Sequence, residues 1–600
     1  MGAGALGSVD RASETKGASL VDILIEKNVP VPMNDGVELL TDVYRPTGPD
    51  AHPVLLTRLP YNKEAVKLVS DNFDVLRAVQ AGYVVVVQDT RGRYGSAGSF
   101  NPFFDEAADG AATIAWAAAQ PWSTGAVGMF GASYVGATQW TAATQAPPAL
   151  AAIAPFVTTD QYYEGWAYQG GAFQLGFNLH WAFWSLALGE MDRRAGMGAA
   201  KPQDYSALVA AIDHNEELYW RLPLRGPAEL ADMAPYYDDW LDHPGYDDFW
   251  KATAAAEAFG DIVVPALNMG GWFDIFLKGT LANYVGMREH GGSDEARRRQ
   301  RLVIGPWAHG AYTGWFPERS FGHRAGTDGA DITGLQLRWF DWLLKGTDTG
   351  LAHEKPVRLF VMGADEWRDV DDWPVPGTRY VDYFLHSQGH ADTATGDGVL
   401  STEVPGDEPD DTYVYDPSDP APTTGGATFL PGVLIGANAG PRDQTGPESR
   451  GDVLCYTTEP LAGPVEVIGP VKLVLHVSSS APDTDFTGKL VDVWPDGRAV
   501  NLADGILRAR YRQPLSGPAL MAPDRTYEIT VDLVATANVF AAGHRIRLEV
   551  SSSNFPRFDR NTNTGGVIAT EVEADFRPAV NRVHHCRTQA SRLVLPIMPA

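Results

Sequence analysis

Six hundred residues exceed what one hydrophobic core serves, so two or three packed units are expected. The apolar fraction of 44% excludes wholesale disorder, and 75 acidic against 47 basic residues leave a net charge of −28. Such a surface repels nucleic acid and anionic membranes, so neither is expected as a partner.

The opening segment, 1–19, is Gly/Ala-rich with mixed charge and reads as a flexible tail without the apolar core of a secretory signal. Leu6 stands where a myristoylation motif places Ser or Thr. No apolar run approaches the roughly 20 residues of a membrane span. The expectation is a soluble, cytoplasmic protein. Only Cys455 and Cys586 occur, too few for a disulfide framework or a cysteine zinc site. Two free thiols are expected, with a single bridge as the alternative.

Residues 20–158 alternate strands and helices. Val54 to Thr57 and Tyr83 to Gln88 suit buried parallel strands, and Asp105 to Gln120 has helical spacing. This predicts the first part of an α/β unit with a mainly parallel sheet. In 159–256 strand-like runs vanish, and aromatic-rich helical stretches, Gln161 to Leu188 and Asp204 to Leu222, predict an inserted helical cap. The α/β pattern resumes in 257–354, with strands Val263 to Met269 and Arg301 to Ile304 and helices Phe276 to Gly286 and Asp331 to Leu344. Residues 355–600 hold short strands, Val357 to Val361 the first of them, punctuated by turns such as Pro495-Asp496-Gly497. That texture predicts a β-sandwich or jelly roll.

Gly131-Ala132-Ser133-Tyr134-Val135-Gly136 lies between the strand-like run Ala126 to Phe130 and the helix-compatible run Ala137 to Gln145. A serine on a tight strand-to-helix turn is how an α/β-hydrolase exposes a nucleophile. The second glycine comes one place late, giving G-x-S-x-x-G rather than G-x-S-x-G. A serine hydroxyl also needs an imidazole base and a carboxylate to orient it, both just past the carboxyl ends of strands. Asp274 follows strand Val263 to Met269 through the turn-rich Gly270-Gly271-Trp272-Phe273, although an aspartate there could equally cap the next helix. His309 follows Arg301 to Ile304 through Gly305-Pro306-Trp307-Ala308. His323 stands too far beyond that strand, and His180, His214 and His243 fall in the helical insertion. For the oxyanion, one donor is the backbone N–H of Tyr134, after the nucleophile. Tyr61, on the loop after Val54 to Thr57, offers a phenol as the second, or else packs at the rim.

Together these residues resemble the bacterial cocaine esterases and the wider X-Pro dipeptidyl-peptidase-like hydrolases. The resemblance runs through Pro32 to Val37, Gln88-Asp89-Thr90-Arg91-Gly92, Gly131 to Trp140, Gly305-Pro306-Trp307, Leu359 to Trp367, Ser551 to Pro556 and Asn561 to Gly566. It implies an α/β-hydrolase core with a helical cap and a C-terminal jelly roll, a triad of Ser133, Asp274 and His309, and oxyanion donors Tyr61 and Tyr134 N–H. It also implies an aromatic substrate pocket at Trp166, Trp181 and Phe276, with Phe429 or Leu430 from the jelly roll. The spacing of fifteen between Trp166 and Trp181 also fits simple packing on one helical face. Around Lys63 to Asn72 the chain departs from the family pattern.

The expected activity is hydrolysis of a small carboxylic ester, aromatic on its acyl side, through an acyl-enzyme and without metal or organic cofactor. A homodimer is left open. The alternatives are an X-Pro dipeptidyl-peptidase or α-amino acid ester hydrolase, and a catalytically inert glycan-binding protein. Relatives of the amino-ester kind hold a substrate ammonium with carboxylates near the oxyanion tyrosine, whereas Asn62 and Lys63 follow Tyr61 here.

Overall fold

The computed structural model describes residues 22–65, 73–430, 438–513 and 517–599. The expected tail at 1–19, and most of the divergent segment after Lys63, lie outside the described residues.

The first sheet has ten strands: β1 (Ile23–Pro32), β2 (Glu38–Pro46), β3 (His52–Leu59), β4 (Val84–Asp89), β5 (Ser123–Ala132), β6 (Leu150–Phe156), β7 (Leu267–Phe273), β8 (Arg301–Ala308), β9 (Val357–Val361) and β10 (Glu366–Val370). Their spatial order is β1-β2-β4-β3-β5-β6-β7-β8-β9-β10. From β4 to β9 the neighbours are parallel. The β-branched run of β4 is buried along its whole length, as a strand covered on both faces must be. Alternation sorts the side chains: Val54, Leu56, Val127 and Met129 pack with Ile114 and Trp140, while Leu55 and Phe130 face Val79, Trp339 and Phe340. Gly128 lets Phe340 lie on the sheet, since a Cβ there would meet its ring at 2.7 Å.

The connection from β3 goes to one side of the sheet and that from β5 to the other. The carboxyl ends of these adjacent strands therefore form the topological switch point, where ligands of open α/β sheets bind. The loop after β3 carries Tyr61, and the turn after β5 carries Ser133.

Four sequence expectations are corrected. Strand β7 begins later than Val263 and runs through Gly270 and Gly271, which the sequence suggested were a turn. They are glycines for packing: a Cβ on Gly271 would stand 2.3 Å from the Trp307 carbonyl oxygen, and one on Gly270 2.9 Å from Thr280. Next, Val357–Val361, assigned above to the jelly roll, pairs in parallel with β8, and Glu366–Val370 follows it antiparallel, so both extend the first sheet. Finally, Gln161 to Leu188 is not one helix. Gly170 (φ 54°) and Gly171 (φ 81°) turn a small hairpin, Tyr168–Gln169 with Ala172–Phe173, and helix starts only at Leu175. That hairpin rests on the second β unit, because a Cβ on Gly170 would sit 2.0 Å from the Ile506 carbonyl oxygen. The predicted helix Asp204 to Leu222 is likewise two, Pro202–Asp213 and Asn215–Trp220.

From Arg379–His386 to Arg592–Ile597 an eleven-stranded, mostly antiparallel sheet forms the C-terminal jelly roll. Its longest pairing joins Val465–Ser479 to Tyr527–Phe540. Among the described residues no helix is long and apolar enough to cross a membrane. Cys455 and Cys586 are both free thiols.

Candidate active site

Strand β5 ends in a turn that only a few residue types tolerate. Gly131 has φ 136°, and a Cβ there would meet the Val135 side chain at 2.3 Å. Ser133 itself is held at φ 60°, ψ −128°, a strained conformation that lifts its hydroxyl clear of the sheet. The displaced glycine of G-x-S-x-x-G is explained by Gly136, whose Cβ would stand 2.8 Å from Thr158. Val135, where the common motif has glycine, lines the cavity instead. The Ser133 N–H donates to the Phe156 carbonyl at 2.9 Å, and Gln139 Nε2 donates to the Gly131 carbonyl at 3.0 Å, fixing both sides of the turn.

The three groups expected to cooperate do meet. His309 Nε2 lies 3.0 Å from Ser133 Oγ, and His309 Nδ1 lies 2.9 Å from Asp274 Oδ2. Asp274 is buried, and its other oxygen accepts the Phe276 N–H at 2.8 Å. It thus braces the segment leading into helix Leu277–His290 while holding the imidazole, but it is not that helix's cap, since the N-cap position falls on Phe276 and no side chain caps it. The rings of Phe276 and Phe429 each stand edge-on to His309 with centroids 5.0 Å away, confining it from two directions.

Two donors were expected for the oxyanion. Tyr134 N–H heads helix Tyr134–Ala143, where helix geometry leaves it without a carbonyl partner inside the helix. Its side chain points away, the phenol donating to Glu106 Oε1 at 2.8 Å and accepting Phe103 N–H at 3.0 Å. Tyr61 lines the cavity with Ser133, and its hydroxyl accepts Trp181 Nε1–H at 3.0 Å. Because an indole only donates, the phenol proton of Tyr61 stays available for another acceptor. Burial pushes the Tyr61 phenol well above its ordinary pKa, so it acts as a neutral donor.

Sequence reasoning missed Arg93. This buried guanidinium donates to the carbonyls of Pro60, Ser185 and Leu186, at 3.0, 3.3 and 3.1 Å, tying the Tyr61 loop to the cap. Its signal was its place just after the Gln88 to Gly92 motif.

The cavity encloses about 380 Å³, within the range of small-molecule sites. One wall is the turn Trp181–Ala187, a π-helical segment continuous with Leu175–His180 and Leu188–Gly196. Phe177, Trp181, Trp184 and Leu188, at i, i+4, i+7 and i+11 along this continuous helical stretch, share one face and line the cavity. Of the expected pocket residues, Trp181 and Phe429 are on the wall. Trp166, Phe276 and Leu430 stand behind it: Trp166 stacks on Phe276 with centroids 4.3 Å apart, and Leu430 packs over Gly176. Trp166 precedes the hairpin, so it shares no helix with Trp181, yet their rings meet at 5.2 Å. Among the described residues no group of His, Cys, Asp and Glu side chains is arranged to hold a metal ion.

A serine hydroxyl bonded to an imidazole bonded to a buried carboxylate makes a nucleophile, with a general base that later serves as general acid. The chain's relatives agree with that chemistry. Residues 35–311 match the family model for X-Pro dipeptidyl-peptidase (S15 family), and residues 349–594 that for the X-Pro dipeptidyl-peptidase C-terminal non-catalytic domain. A cocaine esterase from Rhodococcus sp. (strain MB1 Bresler) is 43% identical over 577 residues, 96% of this chain and 98% of that one. An aminopeptidase from a marine sediment archaeon (Thaumarchaeota archaeon) superposes with a TM-score of 0.79 at 27% identity, covering 99% of each chain. An α-amino acid ester hydrolase superposes with a TM-score of 0.77 at 25% identity, covering 98% of this chain and all of that one. This chain belongs to the X-Pro dipeptidyl-peptidase (S15) family and is a serine hydrolase.

Proposed function

We propose that the protein is a serine esterase for small esters with an aromatic acyl group, of the kind its 43% identical relative is named for. The observation that carries this reading is the hydrogen-bonded chain Ser133–His309–Asp274 opening into a cavity walled by Phe177, Trp181, Trp184 and Phe429. Ser133 attacks the ester carbonyl as His309 takes its proton and Asp274 holds the imidazolium. Tyr61 O–H and Tyr134 N–H stabilise the oxyanion. His309 then protonates the leaving alcohol, and water repeats the sequence on the acyl-enzyme. Esters need only this machinery, and the aromatic wall supplies binding area for a benzoyl-type ring.

A peptidase or amino-ester hydrolase must also hold a substrate ammonium. Lys63, two residues after Tyr61, is buried with its ammonium 2.6 Å from Asn28 Oδ1 and 3.3 Å from Asp42, so the Asp42 carboxylate is already paired with a protein cation. The free thiols Cys455 and Cys586 and the lack of a membrane-spanning helix among the described residues support a cytoplasmic setting for this activity. The test compares kcat/KM for benzoyl, acetyl and alkyl esters with X-Pro anilides. Benzoyl esters should lead. An enzyme that favours X-Pro anilides over every ester is a peptidase instead.

A further inference from the structure

The cavity wall carries one histidine that the reaction does not use. His180 ends helix Leu175–His180 where it widens into Trp181–Ala187, and its ring lines the same cavity as Ser133. It lies along Trp184, with centroids 5.9 Å apart and planes 18° apart, and meets Phe429 edge-on at 5.0 Å. Phe429 meets His309 edge-on at the same distance. The two imidazoles thus flank one phenyl ring, His309 on the reacting side and His180 farther along the wall.

Other histidines of this protein have polar partners: His309 bonds Asp274, His386 bonds Glu408 and His585 bonds Asp411. The ring nitrogens of His180 have none among the described residues. Burial with no compensating carboxylate pulls its pKa down to about 4, so the ring is neutral in the working range. A neutral imidazole offers one N–H donor and one acceptor lone pair. On a wall otherwise formed by Phe177, Trp181 and Trp184, those two atoms are open to a polar group that enters the cavity. Asp192 rims the same cavity farther along the cap helix, exposed and without an ion pair among the described residues, which disfavours an anionic group there.

We propose that His180 is a specificity-determining residue that hydrogen-bonds a neutral polar substituent, a hydroxyl or amide, on the aromatic portion of the ester. The inference rests on the esterase reading and narrows its substrate class from aromatic esters to ring-hydroxylated or amide-bearing ones.

The test measures kcat/KM for phenyl benzoate and for its ortho, meta and para hydroxyl and methyl derivatives, substituted on either ring. In the wild type one hydroxyl isomer should exceed the parent by about 10-fold, the range of one neutral hydrogen bond, while the methyl compound of the same position does not. His180→Phe keeps an aromatic ring but removes both polar atoms, and should bring the hydroxyl-to-parent ratio close to one. His180→Asn restores a donor and an acceptor and should recover part of the ratio, which loss of packing alone would not permit. A wild type indifferent to every hydroxyl position, or a ratio that survives in His180→Phe, overturns the proposal while leaving the esterase reading intact. A wild type that hydrolyses no ester removes both.

Discussion

Replacing Tyr61 by Phe deletes one oxygen atom and tests how the oxyanion is held. The ring stays in its edge contact with Tyr134, centroids 6.4 Å apart, so the packing of the loop after β3 is kept. Two consequences follow from the hydrogen bonding, and they act on different observables. In the transition state the phenol proton, not needed by Trp181, should meet the charge developing on the carbonyl oxygen. Loss of such a donor costs about 10²–10³ in kcat, or about 2.7–4 kcal/mol. KM should change little, because the bond strengthens only as charge develops. In the resting protein, Trp181 Nε1 loses its acceptor at a buried position, which costs about 1–3 kcal/mol of stability. The assay is steady-state hydrolysis of one activated aryl benzoate, with thermal unfolding in parallel. Trp181→Phe is the control, since it removes the indole donor but leaves the Tyr61 hydroxyl, and it should cost less in kcat. A Tyr61→Phe enzyme that keeps wild-type kcat would refute the reasoning and reduce Tyr61 to a packing residue.

Ser133→Ala removes the nucleophile while keeping the turn's steric demands, so turnover and fluorophosphonate labelling should both vanish with the thermal midpoint nearly unchanged; labelling that persists would place the nucleophile elsewhere. Asp274→Asn retains the carbonyl oxygen that accepts Phe276 N–H but presents the wrong partner to His309 Nδ1, so kcat should fall by about 10⁴, and a loss under tenfold on the same ester would count against that assignment. In the jelly roll, burial and the neighbouring Glu549 push the Glu448 carboxyl up to about 7. The native state therefore keeps a proton that the unfolded chain, near 4.5, releases, and stability is lost as pH rises between these values. Glu448→Gln should flatten that fall in a thermal series from acid to neutral pH, and an unaltered slope would rule Glu448 out as its source.

Much of this site was legible because its parts obey local rules. The strand–turn–helix around Ser133 announces itself by an apolar run, small residues and a helix-compatible run, and Asp274 and His309 follow sheet strands closely enough to be found by position alone. The misreadings came where packing overrode local preference. Gly270 and Gly271 look like a turn, but they are strand residues kept small by Trp307 and Thr280. Val357–Val361 has the length and texture of any short strand, and nothing in its residues says which of two sheets it joins. Phe177, Trp181, Trp184 and Leu188 read as ordinary helix core, because helical spacing marks an apolar face without saying whether that face meets protein or a cavity. Arg93 had no signal beyond its place just after the Gln88 to Gly92 motif, since its three carbonyl partners come from segments distant in sequence.

The jelly roll supplies no reacting atom, yet the site depends on it for its shape. Phe429, one of the two rings edge-on to His309, comes from this part of the chain. The rest of its contribution passes through the cap. Arg508 is buried between Asp485 and Asp559, and Asp559 also accepts the Phe173 N–H of the cap hairpin at 3.0 Å. Arg508 N–H donates to the Gly170 carbonyl at 2.8 Å, and Gly176 N–H donates to the Pro556 carbonyl at 2.9 Å just before the wall helix turns toward the cavity. Lys278, one turn into the site from Asp274, bridges cap and jelly roll through Glu164 at 2.8 Å and Asp532 at 2.9 Å. Such buried charges add little net stability over apolar packing, but they penalise any arrangement that separates the partners. A cap held at so many points cannot swing open as a body without exposing unpaired charges. Selectivity then has to reside in what the cap and jelly-roll residues present to the cavity.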